Sequence, residues 1–329
     1  MKVGKNVKSV KVQLQKSAYY AKGAFQTRKG RQHLVAGFAE YLKANNIQIS
    51  SIDQIKAKYI ISYIQERKEQ GKSLRTLQND MSDIRQTLRS AGRDRLADSS
   101  CISNKALGID GASRIGTKRA ITDEQYKEIH QKALQKNPAI AAGMELGRTL
   151  GLRSEEIVQS CQSLITWQNA LNNGATKLKV VFGTKGGRPR DTTIIDRERT
   201  IKAVNTALDI AKQQKGKLIN KPNLKQAMAC WKNQVARLGL TGVISPHSLR
   251  YAYAQDAIQY HQEQGHTKKE ALALTSMDLG HGDGRGTYIK ESRRYMLMKA
   301  KKTLKHLQWV VTARVQKIHL QQNKKGVQL

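Results

Sequence analysis

The spacing of apolar positions predicts a chain built mainly of helices. Leu34, Phe38, Tyr41 and Leu42 form one stripe; Ile55, Tyr59, Ile60, Tyr63 and Ile64 form a second, ended by Gly71. Ser51-Ile52-Asp53-Gln54 has the Ser-x-x-Gln form of a capping box ahead of that second stripe. Ser73 then opens a third helix, with Leu74, Leu77, Met81, Ile84 and Leu88 inward and Gly92 as its stop. The opposite face carries Arg75, Gln78, Asn79, Arg85 and Gln86, side chains suited to phosphates and base edges. A solvated helix face looks much the same.

Periodicity lapses over 93–120, where Gly, Ser, Asp and Asn collect, so an interdomain linker is expected there. Thr122-Asp123-Glu124-Gln125 marks a new helix start, backed by Ile129 and Leu134. Ala139–Leu150 is an apolar helix stopped by Gly151. Alternation predicts strands over Leu178–Phe182 and Thr192–Ile195, joined by the basic, Gly-rich turn Gly183–Arg190. That turn does not have the Gly and Lys-Ser/Thr spacing of a phosphate-binding P-loop. Helices resume over Thr200–Gln213 and Asn223–Leu238. The acid-free tail from Lys299 has a further stripe at Leu304, Leu307, Val311, Val315 and Ile318. The fold class is mainly α with a small β-hairpin, α+β overall.

Composition narrows the function. A chain of 329 residues with 39% hydrophobic content can fill two domain cores. Its 59 Lys and Arg against 25 Asp and Glu leave a formal charge of +34, which calls for a polyanion. Nucleic acid comes first, since a duplex carries about one negative charge per 1.7 Å. Cys101, Cys161 and Cys230 lie far apart without a CxxC, so neither a disulfide framework nor a zinc site is indicated. No apolar run approaches the roughly 18 residues of a spanning helix, and the N-terminus has no apolar signal core, so membrane and secreted roles are not expected. Residues 1–28 contain no acid and several aromatics; they are expected to be a basic arm that orders on DNA, or a frayed terminus.

The chemistry concentrates near the C-terminal third. His247 and Arg250, three apart in Pro246-His247-Ser248-Leu249-Arg250, share one helix face. Leu279-Gly280-His281 follows, with Tyr288 and Tyr295 behind it. Two imidazoles, a guanidinium and a phenol suit phosphoryl transfer: the guanidinium grips phosphate oxygens, the imidazoles handle protons and the phenol attacks. Upstream, Arg153 lies in Thr149-Leu150-Gly151-Leu152-Arg153-Ser154-Glu155-Glu156, and Lys185 in Gly183-Thr184-Lys185-Gly186-Gly187. Each has a plain alternative, a helix-end ion pair for Arg153 with Glu155 or Glu156 and a satisfied core histidine for His281.

Taken in order, these motifs resemble the tyrosine recombinases, the phage-type integrase family. The family's Arg turn, its Lys hairpin, its His-x-x-Arg box and its Leu-Gly-His box all have counterparts here, with one residue inserted between Thr149 and Gly151. The resemblance implies a basic arm over 1–28, a helical, SAM-like core-binding domain over 29–112 and a catalytic domain over 113–302. A basic tail helix over 303–329 would bury its stripe on its own domain or dock on a neighbouring subunit. It also implies site-specific cleavage and rejoining of double-stranded DNA through a covalent 3′-phosphotyrosyl link, integrating or excising a mobile genetic element. Arg153 and Arg250 would grip the scissile phosphate, and Lys185 would protonate the leaving 5′ oxygen. His247 would assist proton transfer and His281 would hydrogen-bond the phosphate, while Glu156 would orient Arg153. Neither cofactor nor metal is implied, because the phosphotyrosine keeps the energy of the broken phosphodiester. Further expectations are a synaptic homo-tetramer, DNA-bending accessory proteins and a bacterial, nucleoid-associated cytoplasmic location. Lys118, Arg119 and Arg188 join Arg75, Gln78, Asn79 and Arg85 as candidate DNA contacts. The alternative is a DNA-binding or architectural protein with a decayed recombinase domain.

The nucleophile departs from the pattern. The family's tyrosine stands about nine residues after the Leu-Gly-His histidine, where this chain has Lys290. Tyr288 follows His281 by seven residues and Tyr295 by fourteen, and on one helix they would share a face about 10 Å apart. Tyr295 is favoured, since two turns into a helix it escapes the Gly-rich loop.

Overall fold

A computed structural model describes residues 9–113 and 117–281. The chain divides into two compact units between residues 114 and 115. The expected tail helix and both candidate tyrosines lie outside the described residues.

In the first unit, α1 (Val10–Tyr20) and α2 (Phe25–Ala44) form a helical hairpin. The expected arm is therefore corrected from Ser9 onward: Leu14 and Ala18 of α1 are buried in the same core as Val35, Phe38 and Leu42. The Gln13 side chain donates to Ser50 O (2.8 Å) and accepts from Ile52 N (3.1 Å), tying α1 to the loop beyond α2. An apolar pair one helical turn apart is enough to bury a helix whose other faces are wet. The Ser51–Gln54 box is present but caps a single 3₁₀ turn over Ile52–Gln54. The buried Ile55 is extended, so α3 (Ala57–Glu69) starts afresh two residues later.

Ser73 caps α4 (Leu74–Ser90), accepting from Thr76 N at 3.2 Å. Leu77, Met81, Ile84 and Leu88 are buried as expected, whereas Leu74, at the first helical position, is exposed. The expected linker is also corrected. A short α5 (Asp94–Ala97) and the loop after it pack on this unit, with Ala97, Ile102 and Ile109 buried in its core. Loop carbonyls need donors once water is excluded, and α4 supplies them. Arg75 Nη2 donates to Ala112 O and Ser113 O (both 3.0 Å), Gln78 to Ile109 O (2.8 Å) and Arg85 to Ile102 O (2.6 Å).

The second unit opens with α6 (Asp123–Lys136), capped by a Thr122/Gln125 box, and α7 (Pro138–Leu150), capped by Asn137. α7 is buried almost all round, which marks it as the central helix. A Cβ at Gly143 would stand 2.9 Å from both Ile157 and Trp231, and one at Gly147 2.8 Å from Ile157, so these glycines set how closely its neighbours approach. Then come α8 (Ser154–Gln159), α9 (Leu164–Asn172), β1 (Lys177–Val180) and β2 (Arg190–Thr193). The strands pair antiparallel from Lys177↔Thr193 to Val180↔Arg190, with Leu178 and Val180 buried. β1 stops at Val180, short of the expected Phe182, and β2 lies two residues nearer the basic turn than the expected Thr192–Ile195; beyond the ladder the Ile194 amide donates to Thr176 O at 3.0 Å. α10 (Arg197–Gln213), α11 (Leu224–Arg237), α12 (Pro246–Glu263) and α13 (Lys268–Asp278) complete the unit. No helix among the described residues is long and apolar enough to cross a membrane.

Candidate active site

Three chain reversals bring the candidate residues together. At the first, α7 ends at Gly151 with φ +59°, and a Cβ there would lie 2.5 Å from the Tyr253 ring. Only glycine lets that buried ring close over the turn. Arg153 follows at the cap position of α8, where its amide donates to Glu156 Oε2 (2.8 Å) and its Nη1 to Glu156 Oε1 (2.6 Å). The helix-end ion pair is therefore present, and Arg153 Nη2 still reaches Leu279 O at 3.0 Å.

At the second, Ser245 and Pro246 start α12 and place His247 and Arg250 on its first turn. Pro is favoured there because the first helical amides have no partner to lose. Arg250 is fully buried; it donates to Gly151 O and Leu279 O, and its Nη2 lies 3.4 Å from His281 Nε2. The His247 ring meets Tyr251 edge-on at 5.2 Å between centroids.

The third closes α13. Gly280 is left-handed (φ +64°), its amide donates to Met277 O (2.7 Å), and the His281 amide donates to Ser276 O (2.9 Å). That pair of bonds is a Schellman cap, which explains a glycine before the histidine. The carbonyl of Leu279, just ahead of it, is the acceptor that Arg153 and Arg250 share.

One carboxylate balances these cations. Glu156 has a fully buried side chain and also accepts from Arg190 Nη2 (2.9 Å), with Arg250 Nη1 at 3.8 Å. Burial pushes its carboxyl up, but the Arg190 and Arg250 guanidiniums and the Arg153 amide outweigh that and hold it down at about 2. Both histidines are also shifted down, which for an imidazole favours the neutral form. Burial first, then the Arg250 and Arg153 charges, holds each imidazole down at about 4. At neutral pH they are uncharged, each with a ring nitrogen able to accept.

Lys185 and Arg188 are exposed at the hairpin tip. The hairpin's base is fixed: Gly183 (φ +74°) presses so closely on α8 that a Cβ would lie 2.6 Å from Glu155 C and O. Lys118 and Arg119 are exposed too, with Lys118 Nζ donating to Gly242 O and the Arg119 amide to Val243 O. Asn79 is exposed. Arg75, Gln78 and Arg85 are half-buried, and their polar ends reach the loop carbonyls described above.

Arg190, Tyr253, His261 and Asp278 were missed as functional candidates. Arg190 ends the basic turn and reads as one more tip cation, although it is 6% exposed and also donates to Gly151 O (3.1 Å) and Asp278 O. The Tyr253 hydroxyl donates to Thr193 O (2.9 Å), and His261 pairs with Asp278 at 3.1 Å. The signal for Tyr253 was its place one helical turn after Arg250. Among the described residues, no three His, Cys, Asp or Glu side chains are grouped to hold a metal ion.

Two adjoining family models match: phage integrase, N-terminal, over residues 7–97, and integrase, over residues 108–256. The chain belongs to the phage integrase family, the tyrosine-type site-specific DNA recombinases, which are enzymes of DNA strand transesterification. Among solved structures it is similar to lambda integrase bound to DNA, with a TM-score of 0.56 at 13% identity over 87% of this chain and 97% of that one. The integrase of the Tn1549 transposon, in complex with transposon right end DNA, gives 0.55 at 13% over 91% and 99%. A lambda integrase tetramer bound to a Holliday junction gives 0.52 at 17% over 84% and 76%. At these identities the likeness is one of fold. No sequence among the curated proteins matches.

Proposed function

We propose that this recombinase integrates or excises a mobile element, cutting one strand per subunit through a 3′-phosphotyrosyl intermediate. One observation carries the assignment of its residues: Arg153 and Arg250 converge on a single oxygen, Leu279 O, with His281 beside Arg250. Two guanidiniums that can share one acceptor suit the non-bridging oxygens of a phosphodiester, whose charge grows in the transition state. His281, uncharged at neutral pH, hydrogen-bonds the phosphate, and His247 takes the phenol's proton as the tyrosine attacks. Lys185, on the exposed hairpin tip, gives a proton to the departing 5′ oxygen. Rejoining runs the same steps backward from a partner strand's 5′ hydroxyl, so atoms and charge balance without a cofactor. Both units hold the duplex, with Arg75, Gln78, Asn79 and Arg85 of the first and Lys118, Arg119 and Arg188 of the second as candidate contacts. A synaptic homo-tetramer, a tail over 303–329 docked on a neighbouring subunit, DNA-bending helpers and action on a bacterial nucleoid belong to this proposal.

The test is a nicked suicide duplex carrying the element's own end, incubated with wild type, Tyr288→Phe and Tyr295→Phe. Wild type should form a covalent, protease-sensitive adduct, and Tyr295→Phe should abolish it while Tyr288→Phe keeps it. Tight site-specific binding by wild type with no adduct would overturn the assignment and favour a DNA-binding protein with a decayed domain.

A further inference from the structure

We propose that Arg190 is a positioning residue for strand cleavage, a single guanidinium that locks the Arg153 turn, the Lys185 hairpin and the His281 turn in one register. The inference rests on reading those three segments as the cleavage site.

Arg190 begins β2, five residues after Lys185, and points away from solvent. Its Nη2 donates to Glu156 Oε2 (2.9 Å) and Gly151 O (3.1 Å), both in the Arg153 turn. Its Nη1 donates to Asp278 O, the last residue of α13 before Leu279-Gly280-His281. The alkyl stem closes the same turn: a Cβ on Gly280 would fall 2.9 Å from Arg190 Cδ. Asp278 is in turn held from two sides, by the Thr193 hydroxyl (2.8 Å) and by His261 (3.1 Å). Arg190 thus meets a fixed acceptor at each end.

Packing alone does not call for an arginine here. An apolar side chain would fill the space without the cost of burying a cation, which is large unless the charge is paired. What an apolar residue lacks is a planar set of donors that reaches three acceptors from two separate turns at once. Leu279 O, the oxygen that Arg153 and Arg250 share, lies one residue beyond the Asp278 carbonyl that Arg190 grips. A shift there displaces the acceptor position between the two arginines, while the hairpin that bears Lys185 is anchored by the same side chain.

The experiment uses the full chain with Arg190→Met and Arg190→Lys. Amide hydrogen exchange is followed at Arg153, Gly280 and His281. Single-turnover adduct formation is measured on suicide duplexes whose bridging 5′ atom is oxygen or sulfur; a thiolate leaves without a donated proton. Arg190→Met should bind the duplex within about threefold of wild type and lose protection at all three amides together. Its adduct should form roughly 100-fold slower on the oxygen duplex, the scale set by about 1 Å of misplacement. The sulfur duplex should restore part of that rate, as it should for Lys185→Ala, and Arg190→Lys should fall between Met and wild type. Exchange changes confined to β2, or equal rate losses on both duplexes that follow a lowered Tm, overturn the proposal. Should Arg190→Met not fold, Gly280→Ala pushes the same guanidinium without removing its charge, and unchanged exchange at Arg153 in that variant overturns it. Absence of any adduct with wild type sinks the cleavage reading instead, and the three-amide pattern then decides Arg190's role by itself.

Discussion

Two groups of arginines, one in each unit, do different work. In the first, Arg75, Arg85 and Arg93 each reach separate backbone carbonyls, Arg93 taking Ile52 O and Ile55 O at 2.8 and 3.1 Å. They act as staples for loops that lack regular hydrogen bonding. In the second, Arg153, Arg190 and Arg250 crowd around one buried carboxylate, Glu156. Three cations against one anion in a dry site is electrostatically poor design for stability alone. Such crowding is retained where an anion will arrive, which is why it marks a functional site better than the overall charge of +34 does.

The sharpest way to break that comparison is Glu156→Gln. It leaves three guanidiniums without their counter-charge, and breaking a buried pair of this kind costs about 3–5 kcal/mol. A denaturant melt should show that loss; a change under about 1 kcal/mol would mean the cluster is not electrostatically coupled. Arg75→Ala should cost less, about 1–2 kcal/mol, because two loop carbonyls lose their donor but can turn to water. Its effect should be seen as faster amide exchange confined to the loop before residue 113, and a loss equal to that of Glu156→Gln would erase the contrast between the units.

A separate effect is expected in pH. Both imidazoles stand at about 4 in the folded chain against 6.5 for the ordinary side chain. The unfolded chain therefore binds more protons in that window, so stability falls as pH drops from about 6.5 to about 4 and levels off below it. A bound phosphate would favour the charged rings and raise both values, so DNA should bind with proton uptake and more tightly toward the acid side. Histidine ring resonances titrated with and without duplex measure this directly. Unchanged midpoints would mean that the phosphate does not reach the rings.

Local signals were legible where the cause is local. The stripe of α4, the Thr122 cap, the Gly151 stop and the basic hairpin all depend on neighbours within a few residues. The Leu-Gly-His motif was legible too, and Gly280 shows why, since a Schellman cap needs a left-handed residue there. What stayed hidden depends on distant partners. Arg190 finds Glu156 34 positions away and Asp278 88 positions away, so nothing beside it distinguishes it from Arg188. The segment from 93 to 113 looked like a linker because its order comes from α4 side chains and not from periodicity of its own. α1 was masked by its lysines, its burial resting on Leu14 and Ala18.

The contact at Gly183 gives the hairpin a mechanical character. With its base seated on the Glu155 backbone, the hairpin is a cantilever whose clamp is set by one missing methyl group. Residues inserted at the exposed Gly186-Gly187-Arg188 tip lengthen the beam while leaving the clamp and the arginine cluster in place. Tip length is thus an engineering dial for the reach of the hairpin, and the tip is a natural seat for a fluorescent probe.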